Sequence, residues 1–215
     1  MYWKLALSWF KKIFILFALT VGTSRSEPNL EIPMIDPTEI NELPESIRED
    51  VLFNRKPFIK SYWTYEPTVR LCLESGVTEA RLRRAIRYWN RLGYEFGPVL
   101  VDRESLSCAA GGRSGEITIL LITSDIPMGD NLALTRTYFL TATREIVRSQ
   151  VFINRYAAQK ERVLEHEIGH ALGWSHYNRR NHMMNRDHSS GGHDSTGLNQ
   201  REYQGQILNE FVNPE

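Results

Sequence analysis

Between positions 77 and 92 apolar residues recur at three- and four-residue intervals. Leu82, Ala85, Ile86, Trp89 and Leu92 fall on one side of a helix, and Thr78 stands where a side-chain oxygen can cap its first turn. Arg81, Arg84, Arg87 and Arg91 take the other faces and read as a solvated outer surface. Ahead of this helix, residues 68–73 have strand character. Behind it, Gly111, Gly112 and Gly115 mark a turn, and the apolar run 117–122 reads as a buried strand. Residues 125–130 form a loop, then 132–140 and 146–153 two further strands, the first suited to an exposed edge. Helical spacing returns over 155–172, with Val163, Leu164, Ile168 and Leu172 facing inward. A polar stretch through Thr196 precedes a last helix. That helix is announced by Asn199 with Glu202 three residues on, the spacing of a capping box, and Tyr203, Ile207 and Phe211 share its apolar side. There is no internal repeat.

Composition narrows this picture. With 215 residues and 41% hydrophobic side chains the chain can bury one good core. Its 26 basic and 26 acidic residues leave no net charge, so nothing global steers it toward nucleic acid. Residues 1–26 read as an export signal: Lys4, Lys11 and Lys12 precede an apolar run over 13–21 and the small residues Gly22, Thr23 and Ser24. The run is too short to span a bilayer, and cleavage is expected between Thr23 and Ser26; an uncleaved anchor is the alternative. Residues 27–55 form an acidic, proline-containing linker or short pro-segment. From Glu27 to Asp50 they hold eight acidic residues against Arg48 alone, and Asp36 is the kind of side chain that could reach a metal. Residues 56–215 remain as the folded domain. Export places Cys72 and Cys108 in an oxidising compartment, which favours one disulfide between them.

The chemistry concentrates in His166-Glu167-Ile168-Gly169-His170-Ala171-Leu172-Gly173-Trp174-Ser175-His176. Residues four apart on a helix point the same way, so His166 and His170 offer two ring nitrogens on one face, half of a tetrahedral zinc site. Glu167, one step round the helix, sits where a base meets water at the metal. Gly173 can end the helix in a left-handed conformation. The chain then brings back His176 as the third ligand and leaves a fourth position for water, as in catalytic rather than structural zinc sites. A bare pair of histidines four apart is often a polar helix face; the third histidine and the glycine at fixed offsets make this pattern specific. Met184 lies eight residues beyond His176, with Met183 as its competitor.

This longer pattern resembles the metzincin clan of zinc endopeptidases, whose methionine lies in a tight turn beneath the metal. The order of elements over residues 56–215 is similar to a matrixin-type catalytic domain. The resemblance implies an α+β fold: a twisted mixed β-sheet with a long helix, a zinc-binding active-site helix and a C-terminal helix. It implies one catalytic Zn2+ held by His166, His170 and His176, Glu167 as general base, Met184 in the methionine turn, and a protein or peptide substrate. A secreted or periplasmic monomer is expected, with no nucleic-acid partner and no membrane span once the signal is removed. Two departures stand out. All six histidines lie between His166 and His193, leaving no ligands for a second, structural zinc, and Arg186 stands where some metzincins carry a tyrosine. Calcium leaves no readable signal in the sequence. His182, His188 and His193 read more readily as solvated loop histidines than as ligands and are assigned no role. The edge strand near 132–137 can align a peptide above the zinc, and residues 185–196 can form the far wall of the pocket. The competing readings are a non-catalytic zinc-containing binding or adhesion module of the same fold, and a basic-helix protein resting on the arginine row. The intact Glu167 favours the enzyme over the first, and the neutral charge counts against the second.

Overall fold

Five strands, β1 (Thr68–Cys72), β2 (Val99–Asp102), β3 (Glu116–Leu121), β4 (Ala133–Phe139) and β5 (Ile146–Ile153), join in one sheet in the spatial order β2-β1-β3-β5-β4. The computed structural model describes residues 56–103, 106–124, 126 and 131–212, the last four by backbone alone. The export-signal and linker readings on residues 1–55, and most of the loop at 125–130, lie outside the described residues. β2, β1, β3 and β5 run parallel to one another, whereas β4 pairs antiparallel with β5 and forms one edge. The result is the mixed sheet with several helices expected from the sequence.

Register decides what each face does. Leu71, Ile119 and Val151 align across three strands, as do Val69, Ile117 and Ser149. Their apolar members pack on the buried side of helix α1 (Glu79–Asn90), where Leu82, Ala85, Ile86 and Trp89 recur at helical spacing. Thr78 caps α1 by accepting the Arg81 N–H at 3.2 Å. On the opposite face Cys72, Leu120, Ile126 and Phe152 form a smaller cluster. The short helix α2 (Leu106–Ala109) carries Cys108 onto it, and the Cys72–Cys108 disulfide is formed.

Helix α3 (Val163–Ala171) crosses beneath β4, and helix α4 (Gln200–Val212) follows Asn199, whose side-chain oxygen accepts the Glu202 N–H at 2.9 Å. Tyr203 is buried and Ile207 partly so; the Phe211 side chain lies outside the described residues. Among the described residues no helix is long and apolar enough to cross a membrane.

Two expectations are corrected. α3 starts at Val163 and not near 155. Arg155–Ala157 form a separate 3-10 turn, and Arg162 has φ 67°, a left-handed conformation that helix interiors do not admit. The apolar pattern over 155–162 comes from Ala157 and Ala158, which are buried in the turn. Arg81 is not on the solvated face either: it is 2% exposed. Its guanidinium pairs with Glu165 of α3 and donates to the Lys160 carbonyl oxygen at 3.1 Å. The position that counts as outer for α1 against the sheet faces α3 instead.

Candidate metal centre

α3 ends in a way that sets the site. Leu172 closes the helix, and Gly173 follows with φ 104°. Its N–H donates to the His170 carbonyl at 2.9 Å and the Trp174 N–H to the Gly169 carbonyl at 3.0 Å, the paired bonds of a Schellman ending. A Cβ at Gly173 would run into the Ser61 carbonyl oxygen, so glycine is required for close approach as well as for φ. Residues 58–60 pass alongside, with the Lys60 N–H donating to the Gly173 carbonyl at 2.9 Å and the Ser175 N–H to the Phe58 carbonyl at 2.8 Å. The other carbonyls at this helix end are also satisfied. Trp63 Nε1 donates to the Ala171 carbonyl (2.8 Å), the Tyr203 hydroxyl to the Leu172 carbonyl (2.8 Å), and Thr137 Oγ1 to the His170 carbonyl (3.2 Å).

The turn returns His176 over the helix face that carries His166 and His170. His170 Nε2 lies 3.0 Å from His166 Nε2 and 3.1 Å from His176 Nε2. The outer nitrogens are already committed: His166 Nδ1 is 2.8 Å from the Met183 carbonyl oxygen and His170 Nδ1 is 2.7 Å from that of Trp174. A carbonyl only accepts, so both rings carry their hydrogen on Nδ1 and turn an Nε2 lone pair inward. Lone pairs held this close repel one another unless a cation lies among them. Loss of hydration lowers the proton affinity of all three rings, and the neighbouring imidazoles lower that of His170 and His176 further. The trio is therefore a neutral nitrogen donor set that can hold a metal ion, oriented by backbone carbonyls behind it.

Glu167 meets β4. It is 6% exposed, and Thr135 Oγ1 donates to its Oε2 at 2.6 Å. Burial pushes its carboxyl up to about 7, while the Thr135 bond acts in the opposite direction. β4 thus touches α3 through two threonines two residues apart, Thr135 at Glu167 and Thr137 at the His170 carbonyl.

Met184 lies beneath the helix. It is fully buried, and a Cβ on Gly169 would collide with its Sδ and with the Trp89 ring. The turn at 182–185 is closed by the Asn185 N–H donating to the His182 carbonyl at 3.1 Å. Of the two competing methionines, Met184 is the one packed under the trio's helix, whereas Met183 supplies the carbonyl to His166 and borders the cleft. The expectation that His182 is solvated is corrected here. It is fully buried, its Nδ1 accepts the Met184 N–H at 3.1 Å, and its Nε2 faces the Thr196 carbonyl oxygen at 3.1 Å. Both nitrogens are used, so this histidine shapes the turn. His188 Nε2 bonds to the Glu161 carbonyl oxygen (3.1 Å) outside the trio.

These pieces border a cleft of about 680 Å³, with α3 as floor, β4 on one side and residues 185–191 on the other. Three cations also face it: Lys60, Arg162 and Arg186. Lys60 and Arg186 both lower the proton affinity of His176, and Arg162 that of His166. His166, Glu167, His170, Gly173 and His176 meet here, with Met184 beneath the helix; Cys72 and Cys108 do not, being on the far face of the sheet. Sequence reasoning missed Thr135, Thr137, Trp63 and Lys60. Only the alternation of Thr135 and Thr137 on a strand, which places both on one face, was a local signal.

The chain matches no protein-family model and no curated protein sequence. Among solved structures it is similar to metalloproteinase-II from Bacteroides fragilis at 13% identity and a TM-score of 0.40, over 80% of this chain and 60% of that one. The chain thus spans less than two thirds of that protein's length.

Proposed function

We propose that this chain is an exported zinc-dependent endopeptidase of matrixin-like metzincin type. The observation that carries the reading is the convergence of His166, His170 and His176, three inward-facing imidazole nitrogens at an open cleft, with a buried carboxylate one residue along the helix. Three neutral nitrogen ligands with access from solvent suit a catalytic zinc, and zinc would polarise the scissile carbonyl and acidify the attacking water. Glu167 takes the proton from that water and delivers it to the leaving amine nitrogen. Thr135 holds the Glu167 carboxylate in one orientation through the reaction. β4, the edge strand among the described residues, receives the substrate as an added antiparallel strand across the cleft. The Cys72–Cys108 disulfide fits an oxidising compartment and so supports export.

The test is a quenched protein substrate assayed with and without a zinc chelator, alongside metal analysis of the purified protein. Glu167→Gln should retain bound zinc and lose nearly all turnover, and His176→Ala should lose zinc. Glu167→Gln with full zinc and normal turnover would remove Glu167 from the chemistry. A wild-type protein that binds zinc and cleaves nothing would leave a binding module of the same fold.

A further inference from the structure

The cleft holds more positive charge than the proposed hydrolysis needs. Arg162 lies at the start of α3 beside His166, Lys60 beside the Gly173 turn at its end, and Arg186 just past the methionine turn, so the cations bracket the trio. None is joined by an ion pair to any carboxylate among the described residues, in contrast to Arg70, Arg81, Arg83 and Arg179 elsewhere. Arg162 donates one bond, from Nη2 to the His188 carbonyl oxygen at 3.0 Å, a neutral acceptor.

Among the described residues two carboxylates line the cleft, and both are engaged by uncharged donors. Glu167 accepts from Thr135. Asp187 accepts from the Ser189 N–H at 2.9 Å, from the Ser189 hydroxyl at 2.8 Å, and from the Ser190 hydroxyl at 2.9 Å. Neutral donors leave the charge on these carboxylates but turn them away from the cations. Three cations without an ion pair among the described residues therefore line a groove that a peptide must cross, against two carboxylates held by other partners. Cations gathered in a cleft with low-dielectric walls raise the local concentration of anions and speed their arrival. A guanidinium also meets a carboxylate with matched, two-point geometry.

We propose that the substrates of this cleft are acidic peptide segments: Arg162 receives a carboxylate side chain on one side of the bound peptide bond, Lys60 receives one on the other, and Arg186 adds to the field between them. The inference rests on the peptidase reading and names its substrate class.

Two measurements test it. The first is kcat/KM for quenched peptides that differ only in the side chains flanking the cut, Glu against Gln against Lys. The Glu peptide should exceed the Gln peptide about tenfold at low salt, with the ratio shrinking at high salt and the Lys peptide poorest. Lys60→Gln and Arg186→Gln, both at exposed positions, should each lower the Glu-to-Gln ratio several-fold, as should Arg162→Gln if it folds. The second is fluorescence anisotropy of the same labelled peptides on the full chain carrying Glu167→Gln, which reads binding without turnover. Equal binding and equal kcat/KM for the Glu and Gln peptides would overturn the proposal. Failure of the wild-type protein to cleave any peptide counts against the peptidase reading alone, and the anisotropy ratio then decides this inference by itself.

Discussion

Thr135 Oγ1 donates to Glu167 Oε2 at 2.6 Å, across the boundary between the edge strand and the helix that carries the histidine trio. The bond gives a buried carboxylate a side-chain partner and ties the proposed base to the strand on which the substrate would lie. Thr135→Val keeps the shape and removes the donor. Hydrogen bonds to charged groups contribute roughly 1.5–3 kcal/mol, so kcat should fall about ten- to hundredfold at unchanged zinc content. Thr135→Ser should restore most of it. Steady-state kinetics of the two variants check this, and an unaltered kcat for the valine variant would show that Glu167 needs no such support.

Gly173 and Gly205 make opposite forecasts for one substitution. Gly173→Ala meets both φ 104° and the Ser61 carbonyl oxygen, and strain of this kind costs about 1–3 kcal/mol. Its melting temperature should drop, and its zinc affinity with it, since the turn delivers His176. Gly205 lies inside α4 with nothing within 4 Å of an added Cβ, so Gly205→Ala should stabilise by about 0.5–1 kcal/mol. Thermal melts with zinc titration separate the two. Equal effects would mean the turn is not restrained as described.

The Arg81–Glu165 pair joins α1 to α3 with side chains 2% and 13% exposed. Removing one partner strands a buried charge, at a cost of about 3–5 kcal/mol. Arg81→Met combined with Glu165→Leu should cost less than either single change. Denaturant unfolding of the two single variants and the double variant gives the coupling, and strictly additive losses would show that the two groups do not depend on each other.

His182 predicts a pH dependence. Burial lowers its proton affinity, and its neutral ring both accepts from Met184 N–H and donates to Thr196. Unfolded, it titrates near about pH 6.5, so below that value the unfolded chain takes up a proton that the folded ring resists. Its contribution is fully present above about pH 6.5 and declines as pH falls, by at most about 1.4 kcal/mol per pH unit. His182→Gln lacks this titration. The stability gap between wild type and variant, measured by denaturant unfolding at saturating zinc, should be widest near neutrality and narrow in acid. A gap that stays constant with pH would place the His182 titration outside this range.

Much of this arrangement is readable along the chain because its causes are local. The spacing of His166 and His170 is one helical turn, Thr78 and Asn199 cap the residues that follow them, and Gly173 acts on its own φ. Alternation and apolar runs are properties of short windows, and they located all the strands but β2 to within a residue or so. With two cysteines, only one intrachain pairing exists. The misreadings share another cause. Thr135 meets Glu167 across 32 residues, Arg81 meets Glu165 across 84, and Lys60 reaches the cleft by running alongside a turn more than a hundred residues later. His182 looks like any loop histidine until the turn closes over it. Such contacts depend on sheet register and on how helices cross, and no window of the chain encodes those by itself, because each follows from packing many segments into one core at once.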